Sequence, residues 1–452
     1  MSDPIASFPL SLSPEAIDVT SPFEGDKLGR KKLAERLTSY IDRLQNGAVL
    51  AIDAPWGEGK SWFGRHWAAH LKARDYRVAT IDAFQQDFVE DPFLLIAAEI
   101  ANLTSNDHGE ALKHRAVAVM KARLPLGTKV LINLAGRIVL GAADISEDVQ
   151  GAIEAAPEKS SDAAEEWVRQ KLENHEAEKQ SLTHFRQALA DFAAKQEKPV
   201  IVFIDELDRC RPSFAVRLIE RIKHFFDVPN LVFVLLMNRE QLEKAICGVY
   251  GPDTDASAYL GKFLHLTWRL PGPTKRDMDR GTETRRVFVA DTLRQYGFDN
   301  TQQGSLEAFI ATFSEWAHVM DLSLRDIQRG CALFIMADTG WSGLISYLIA
   351  LKLKRPAWFQ QIRSGSATIH ETLEKFLQEH IPPDSDARNS FPSAYFRTLF
   401  YLHLRHRITL SEQDAAFFRE NSTMLFGAHA RGPSGDPFAR AAGMIDLPIE
   451  DH

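Results

Sequence analysis

The chain has 452 residues, enough for two or three domains, and its 45% hydrophobic and 25% charged residues exclude a wholly disordered protein. A net charge of −8 excludes a global basic field that would draw it onto DNA or an anionic membrane, leaving only a local basic patch open. Its three cysteines, Cys210, Cys247 and Cys331, form no CxxC pair, which argues against a disulfide framework or structural zinc and suits a reducing cytoplasm.

The N-terminus MSDPIASFPLSLSPEA lacks the basic and apolar regions of a secretory leader. Residues 1–22 carry four prolines among serines and read as an irregular segment. From Lys27, residues Leu28, Leu33, Leu37, Ile41 and Leu44 recur at helical spacing until Asn46-Gly47. AVLAID (48–53) is a buried strand. A Gly-rich turn comes next, and then a helix from Lys60. YRVATIDAF (76–84) is a second strand, and Asp91-Pro92 opens another helix as N-cap and first turn.

Residues 105–198 are mostly helical in pattern. Within them Leu124–Ile145 is strongly apolar but interrupted by Lys129, Asn133, Arg137 and Asp144. Such charges oppose membrane insertion, so the stretch reads as a buried or amphipathic helix. From Asp144 to Gln180 there are 11 acidic residues against 4 basic ones, a solvated face or linker. PVIVFID (199–205), NLVFVLLMN (230–238) and FLHLTWRLP (263–271) are further strands, and the pattern after Pro273 is helical. Strands alternating with helices predict an α/β fold with a parallel sheet covered on both faces.

Ala54-Pro55-Trp56-Gly57-Glu58-Gly59-Lys60-Ser61 lies between a strand and a helix. It meets the phosphate-loop pattern G-x-x-x-x-G-K-[ST] except at its first position. Glycines let backbone N–H groups curl toward phosphate oxygens, and the helix start adds its positive dipole end. Lys60 would reach the terminal phosphates, and Ser61 would hold Mg²⁺ through its hydroxyl. A side chain at Ala54 is harmless if its φ is negative and strained if it is positive.

The second motif is VIVFIDELDRC. Acids at the C-terminal end of a parallel strand stand where open α/β sheets bind ligands. Asp205 is placed to hold Mg²⁺. Glu206 is the first choice to polarise an attacking water, and Asp208 the second. Arg209 and Arg211 come directly after; they either hold these acids or act as a finger on a neighbouring subunit.

In their order, several blocks resemble the KAP family of P-loop NTPases. They are DKLGRKKLAERL, APWGEGKS with its Trp56, DAFQQDFVEDPF, FIDELDRCRPSFAVRLIERIKHFFDVPNLVFVLLMNRE, YLGKFLHLTWRLP and SLRDIQRG. The resemblance covers roughly residues 23–335. It implies ATP and Mg²⁺ as cofactors and a sheet in which an extra strand, NLVFVLLMN, lies between the two motif strands. Asn238 would then sit beside the γ-phosphate as a sensor. Arg325 and Arg329 would approach the nucleotide from a helical lid or form a solvated pair. The expected nucleotide contacts are Trp56, Gly57, Glu58, Gly59, Lys60, Ser61, Trp62, Arg325 and Arg329, although Trp62, His66 and Trp67 also read as packing residues. The expected catalytic set is Lys60, Glu206, Asn238 and Asp208, with Ser61 and Asp205 on the metal.

The expected organisation is a P-loop core over 23–104 and 199–273, with a helical insertion over 105–198. A helical lid over 274–345 and an all-α C-terminal region over 346–452 complete it. The expected function is a cytoplasmic ATPase whose turnover drives a conformational switch or assembly, with no membrane span. Unidentified protein partners, or other copies of the chain, are the expected targets. By analogy with bacterial members it would serve defence against phage or mobile elements. A nucleotide-binding scaffold and a DNA-acting ATPase are the alternatives.

Overall fold

The computed structural model describes residues 19–89, 91–103, 112–116, 180, 182–225, 228–272, 278–298, 303–337, 339–381, 390–427 and 435–446. The apolar stretch Leu124–Ile145 and nearly all of the acidic stretch lie outside these residues. The chain divides into two compact units. One holds Val19–Trp56 and Lys60–Leu270, and the other holds Pro271 onward together with Gly57–Gly59.

The first unit is built on five parallel strands: β1 (Ala48–Asp53), β2 (Val78–Asp82), β3 (Val200–Asp205), β4 (Leu231–Met237) and β5 (Leu266–Arg269). Their spatial order is β2-β3-β4-β1-β5. β4 therefore lies between the strands carrying the two motifs, as the family resemblance implied. β1, β3 and β4 are apolar throughout or up to a terminal aspartate, whereas β2 carries an exposed Thr80 and β5 is mostly exposed. β5 is the shortest, at the sheet edge, where it pairs with β1 alone.

Alternation along the strands builds two cores. Val49, Ala51, Val202, Ile204, Phe233 and Leu235 face one side, and Leu50, Ile52, Ile201, Phe203, Val232 and Val234 the other. On the first side pack the helices Pro92–Asn102, 182–194, Pro212–Ile222 and Arg239–Tyr250. On the second pack Arg30–Ile41 and Lys60–Lys72. Runs that are apolar at every position are what a sheet buried on both faces requires.

The first helix begins at Arg30 rather than Lys27. Asp26 accepts the N–H groups of Leu28 (3.1 Å) and Lys31 (2.8 Å), and Gly29 caps the helix in the left-handed region. This turn excludes Leu28 from the helix. The helix Lys60–Lys72 is fixed on the sheet by buried Phe63, Trp67 and Leu71. Trp67 also donates to Thr38 Oγ1 at 3.0 Å and meets Phe203 edge-on. Asp91 caps Pro92–Asn102 by accepting from Phe93 N–H, as its sequence predicted.

In the second unit, one hydrophobic core runs from Val289 to Ile445. It therefore includes parts of both the expected lid and the C-terminal region. Its central helix, Ser342–Lys354, is buried at every position through Leu351. Tyr395 anchors it, accepting from Trp316 Nε1 and donating to Gly343 O, both at 2.7 Å. Among the described residues no helix is long and apolar enough to cross a membrane.

Gly64 sets how closely the phosphate-loop helix approaches β4. A Cβ there would stand 2.1 Å from Leu236 Cδ1, and Leu236 is itself buried. Gly64→Ala is therefore expected to cost about 1–3 kcal/mol by overpacking. An unchanged urea midpoint would contradict this packing.

Candidate functional site

The loop after β1 adopts its turn without its first glycine. Ala54 is not among the residues with positive φ, whereas Gly57 (φ 86°) and Gly59 (φ 75°) are. The Cβ of Ala54 thus carries no left-handed strain, and its N–H extends the β1–β4 ladder by donating to Met237 O at 3.1 Å. The two glycines that the curl needs are present. Lys60, the first residue of the helix, is 8% exposed. Its Nζ donates to Ala54 O (2.8 Å) and Pro55 O (3.3 Å). Burial lowers its pKa, opposed by the carboxylates of Asp208, Asp205, Glu206 and Asp53 in that order.

The end of β3 brings the acids to the same place. Asp205 is pushed up to about 6, chiefly by burial; the Ser61 hydroxyl and Glu206 N–H, which bond to it, pull the other way. Glu206 takes φ 59° and ψ 21°. The left-handed region costs a non-glycine residue roughly 1–2 kcal/mol, so other contacts must hold it there. Its backbone O accepts from Arg209 N–H (3.1 Å) and the Cys210 thiol (3.5 Å). Its side chain accepts the Ser61 hydroxyl on Oε1 (3.1 Å) and pairs with Arg209 through Oε2. Cys210 is a buried small residue, its thiol raised to about 12 mainly by burial.

Trp56 is 46% exposed, and its indole N–H donates to Asp208 Oδ2. Asp208 Oδ1 is buried without a hydrogen-bond partner among the described residues. Solvent can satisfy an indole N–H this exposed, so nothing in the sequence called for this partner. Asn238 caps the helix Arg239–Tyr250 through its amide oxygen, with Gln241 N–H at 3.4 Å.

Of the other expected residues, Trp62 packs, whereas Arg325 meets the loop through its backbone, its N–H donating to Gly57 O at 3.2 Å. Trp62 stacks on His66 at 4.0 Å and meets Phe23 edge-on, a packing position. Glu58 is half-buried in the loop, and Arg325 and Arg329 are exposed one turn apart on the helix Leu324–Ala337. Arg211 pairs with Asp87. Sequence reasoning missed Asp53, whose Oδ1 accepts Arg239 N–H at 2.9 Å and ties the end of β1 to the helix after β4.

Glycines in the left-handed region, a buried lysine at a helix start, a hydroxyl beside a half-buried aspartate and an orphaned carboxylate oxygen fit a phosphate chain with a divalent cation. Ser61 and Asp205 would hold the cation, Lys60 the phosphates. Among the described residues no three His, Cys, Asp or Glu side chains converge to hold a metal by themselves.

A parallel sheet with an additional strand between a glycine-lysine-serine loop and an acidic strand end defines a P-loop NTPase. The chain matches the model of the KAP family P-loop domain over residues 30–336, well over half its length, and belongs to that family. It is 26% identical over 202 residues to the phage T7 exclusion protein of Escherichia coli (strain K12). That match takes in 45% of this chain and 26% of the relative, so the chain spans about a quarter of the relative's length. Among solved structures, a DNA replication initiation factor aligns with TM-score 0.33 and 13% identity, over 88% of this chain and 84% of that one. The Aeropyrum pernix ORC2 protein in its ADP form aligns with TM-score 0.34 and 10% identity, over 96% and 97%.

Two predictions come from the charges. Lys60→Ala should abolish most affinity for a nucleoside triphosphate, because the phosphates lose their buried cation; calorimetry showing unchanged affinity would contradict the assignment. Asp205 binds its proton more tightly folded than unfolded. Its stabilising contribution is therefore present at acid pH and lost as pH rises through about 6. Asp205→Asn should accordingly raise the melting temperature above that pH while weakening Mg²⁺-dependent nucleotide binding. A melting temperature lowered there would show that the carboxylate is not costly.

Proposed function

We propose that the chain binds ATP with Mg²⁺ and hydrolyses it, and that turnover drives a conformational switch or an assembly step. The observation that carries this reading is the 3.1 Å bond from the Ser61 hydroxyl to Glu206, which joins the two motifs across β4. Mg²⁺ would supply charge neutralisation at the phosphates. Lys60 adds a buried cation to the same oxygens. Glu206 accepts the proton of an attacking water, and Asn238 offers amide donors to orient it. Trp56 and Gly57–Gly59 shape the loop, while Arg325 and Arg329 are candidates to meet the nucleotide from their helix.

The similarity to a phage T7 exclusion protein supports a place in bacterial defence against phage or mobile elements. We assign the chain to the cytoplasm on its cysteine usage. Its partners are other proteins or further copies of itself.

Glu206→Gln keeps the size and hydrogen bonding of the side chain but removes the base. It is expected to bind Mg-ATP as the wild type does and to hydrolyse it about 10²-fold or more slowly. Single-turnover hydrolysis beside a binding titration measures both. A wild-type rate in Glu206→Gln with loss in Asp208→Asn transfers the role to Asp208. Binding without turnover in the wild type, alone or with DNA, replaces the enzyme with a nucleotide-bound scaffold.

A further inference from the structure

Both carboxylate oxygens of Glu206 are engaged: Oε1 by the Ser61 hydroxyl and Oε2 by Arg209 Nε. The two partners differ in kind. Ser61 has a single proton to donate and two acceptors within reach, Glu206 and Asp205. When that proton goes to Asp205, Oε1 of Glu206 loses its partner. Arg209 has no such choice, because its guanidinium stays charged and only donates.

The Arg209 pair is ill-suited to a purely structural role. The Arg209 side chain is 37% exposed and that of Glu206 18% exposed. Pairs this close to solvent add little to stability. Yet this one lies in a turn whose backbone is already strained at Glu206, and the Arg209 N–H bonds the Glu206 carbonyl besides. Side chain and backbone of Arg209 thus grip the same residue at both ends. Arg211, two positions on, faces away to Asp87 and grips none of the motif acids.

We propose that Arg209 is a positioning residue for Glu206 within the same subunit. It pins Oε2, so that Oε1 alone changes partner, between the Ser61 hydroxyl and the attacking water. The proposal rests on the reading of Glu206 as the base. It competes with a role for Arg209 as a finger on a neighbouring subunit's phosphate, since its Nε is held by Glu206 of its own chain.

The test uses full-length protein with Arg209→Ala, Arg209→Lys, Glu206→Gln and the Arg209→Ala/Glu206→Gln pair. Single-turnover hydrolysis is measured beside the affinity for a fluorescent ATP analogue with Mg²⁺. Arg209→Ala should slow hydrolysis about tenfold to a hundredfold and leave affinity within about twofold. Arg209→Lys should recover part of the rate, and Arg209→Ala should cost nothing further in the Glu206→Gln background. Mixing the Arg209→Ala and Glu206→Gln proteins should give only the sum of their separate rates. Recovered activity on mixing would make Arg209 a finger in trans and overturn the proposal. So would a full loss from Arg209→Ala in the Glu206→Gln background, a loss confined to affinity, or no effect at all. An inactive wild type overturns the base assignment and this proposal together, whereas the variant outcomes overturn this proposal alone.

Discussion

β4 is buried at all seven positions and hydrogen-bonded along both edges, to β1 and to β3. Its register places Met237 opposite Asp53 and Leu235 opposite Ile204, so both motif strands end near one level. The same strand also holds them two strand spacings apart, roughly 10 Å. Neither motif can reach the other within the plane of the sheet. The gap is closed by the turn beyond each strand: a glycine curl that leads the chain into a helix beginning at Lys60, and a left-handed turn at Glu206. Trp56 to Asp208 and Ser61 to Glu206 are the two bonds that result.

Those turns gather charge in a place that disfavours it. Lys60 is lowered by burial although four carboxylates oppose the shift, and Asp205 is raised by burial although a hydroxyl and an N–H oppose it. Buried charge of this kind adds little to stability and often subtracts from it. The same burial would make Lys60 effective toward a phosphate and Asp205 toward a cation, because little water screens them. The strained Glu206 backbone belongs to the same exchange of stability for preorganisation.

The two units differ in what holds them. In the sheet unit, position is set by ladder register and by glycine contacts such as Gly64 on Leu236. In the helical unit it is set by a core of aromatic residues around one helix buried through its first ten residues, with hydroxyls such as Tyr395 and Ser346 bonded inside it. A ladder fixes the chain to within a residue and suits a site that must join distant segments. Helix packing fixes faces, and it leaves Arg325 and Arg329 on an exposed side of their helix.

The sequence by itself determined the strands and the chemistry at their ends. Buried strands are continuous apolar runs, and Gly-Lys-Ser and Asp-Glu are local words whose meaning depends only on the strand before them. The place of β4 between the motifs was legible through the family resemblance, not through periodicity, which carries no information on strand order. The harmlessness of Ala54 turned on a dihedral angle that composition cannot give. Trp56 on Asp208 and Ser61 on Glu206 were decided by the tertiary structure alone, whereas Arg209 on Glu206, the cap made by Asn238 and the late start at Arg30 rest on contacts within five residues of chain. Local pattern fixes which face of an element is buried. The partner of a side chain 145 or 152 residues away is fixed only when the sheet order and the turns beyond it bring the two together.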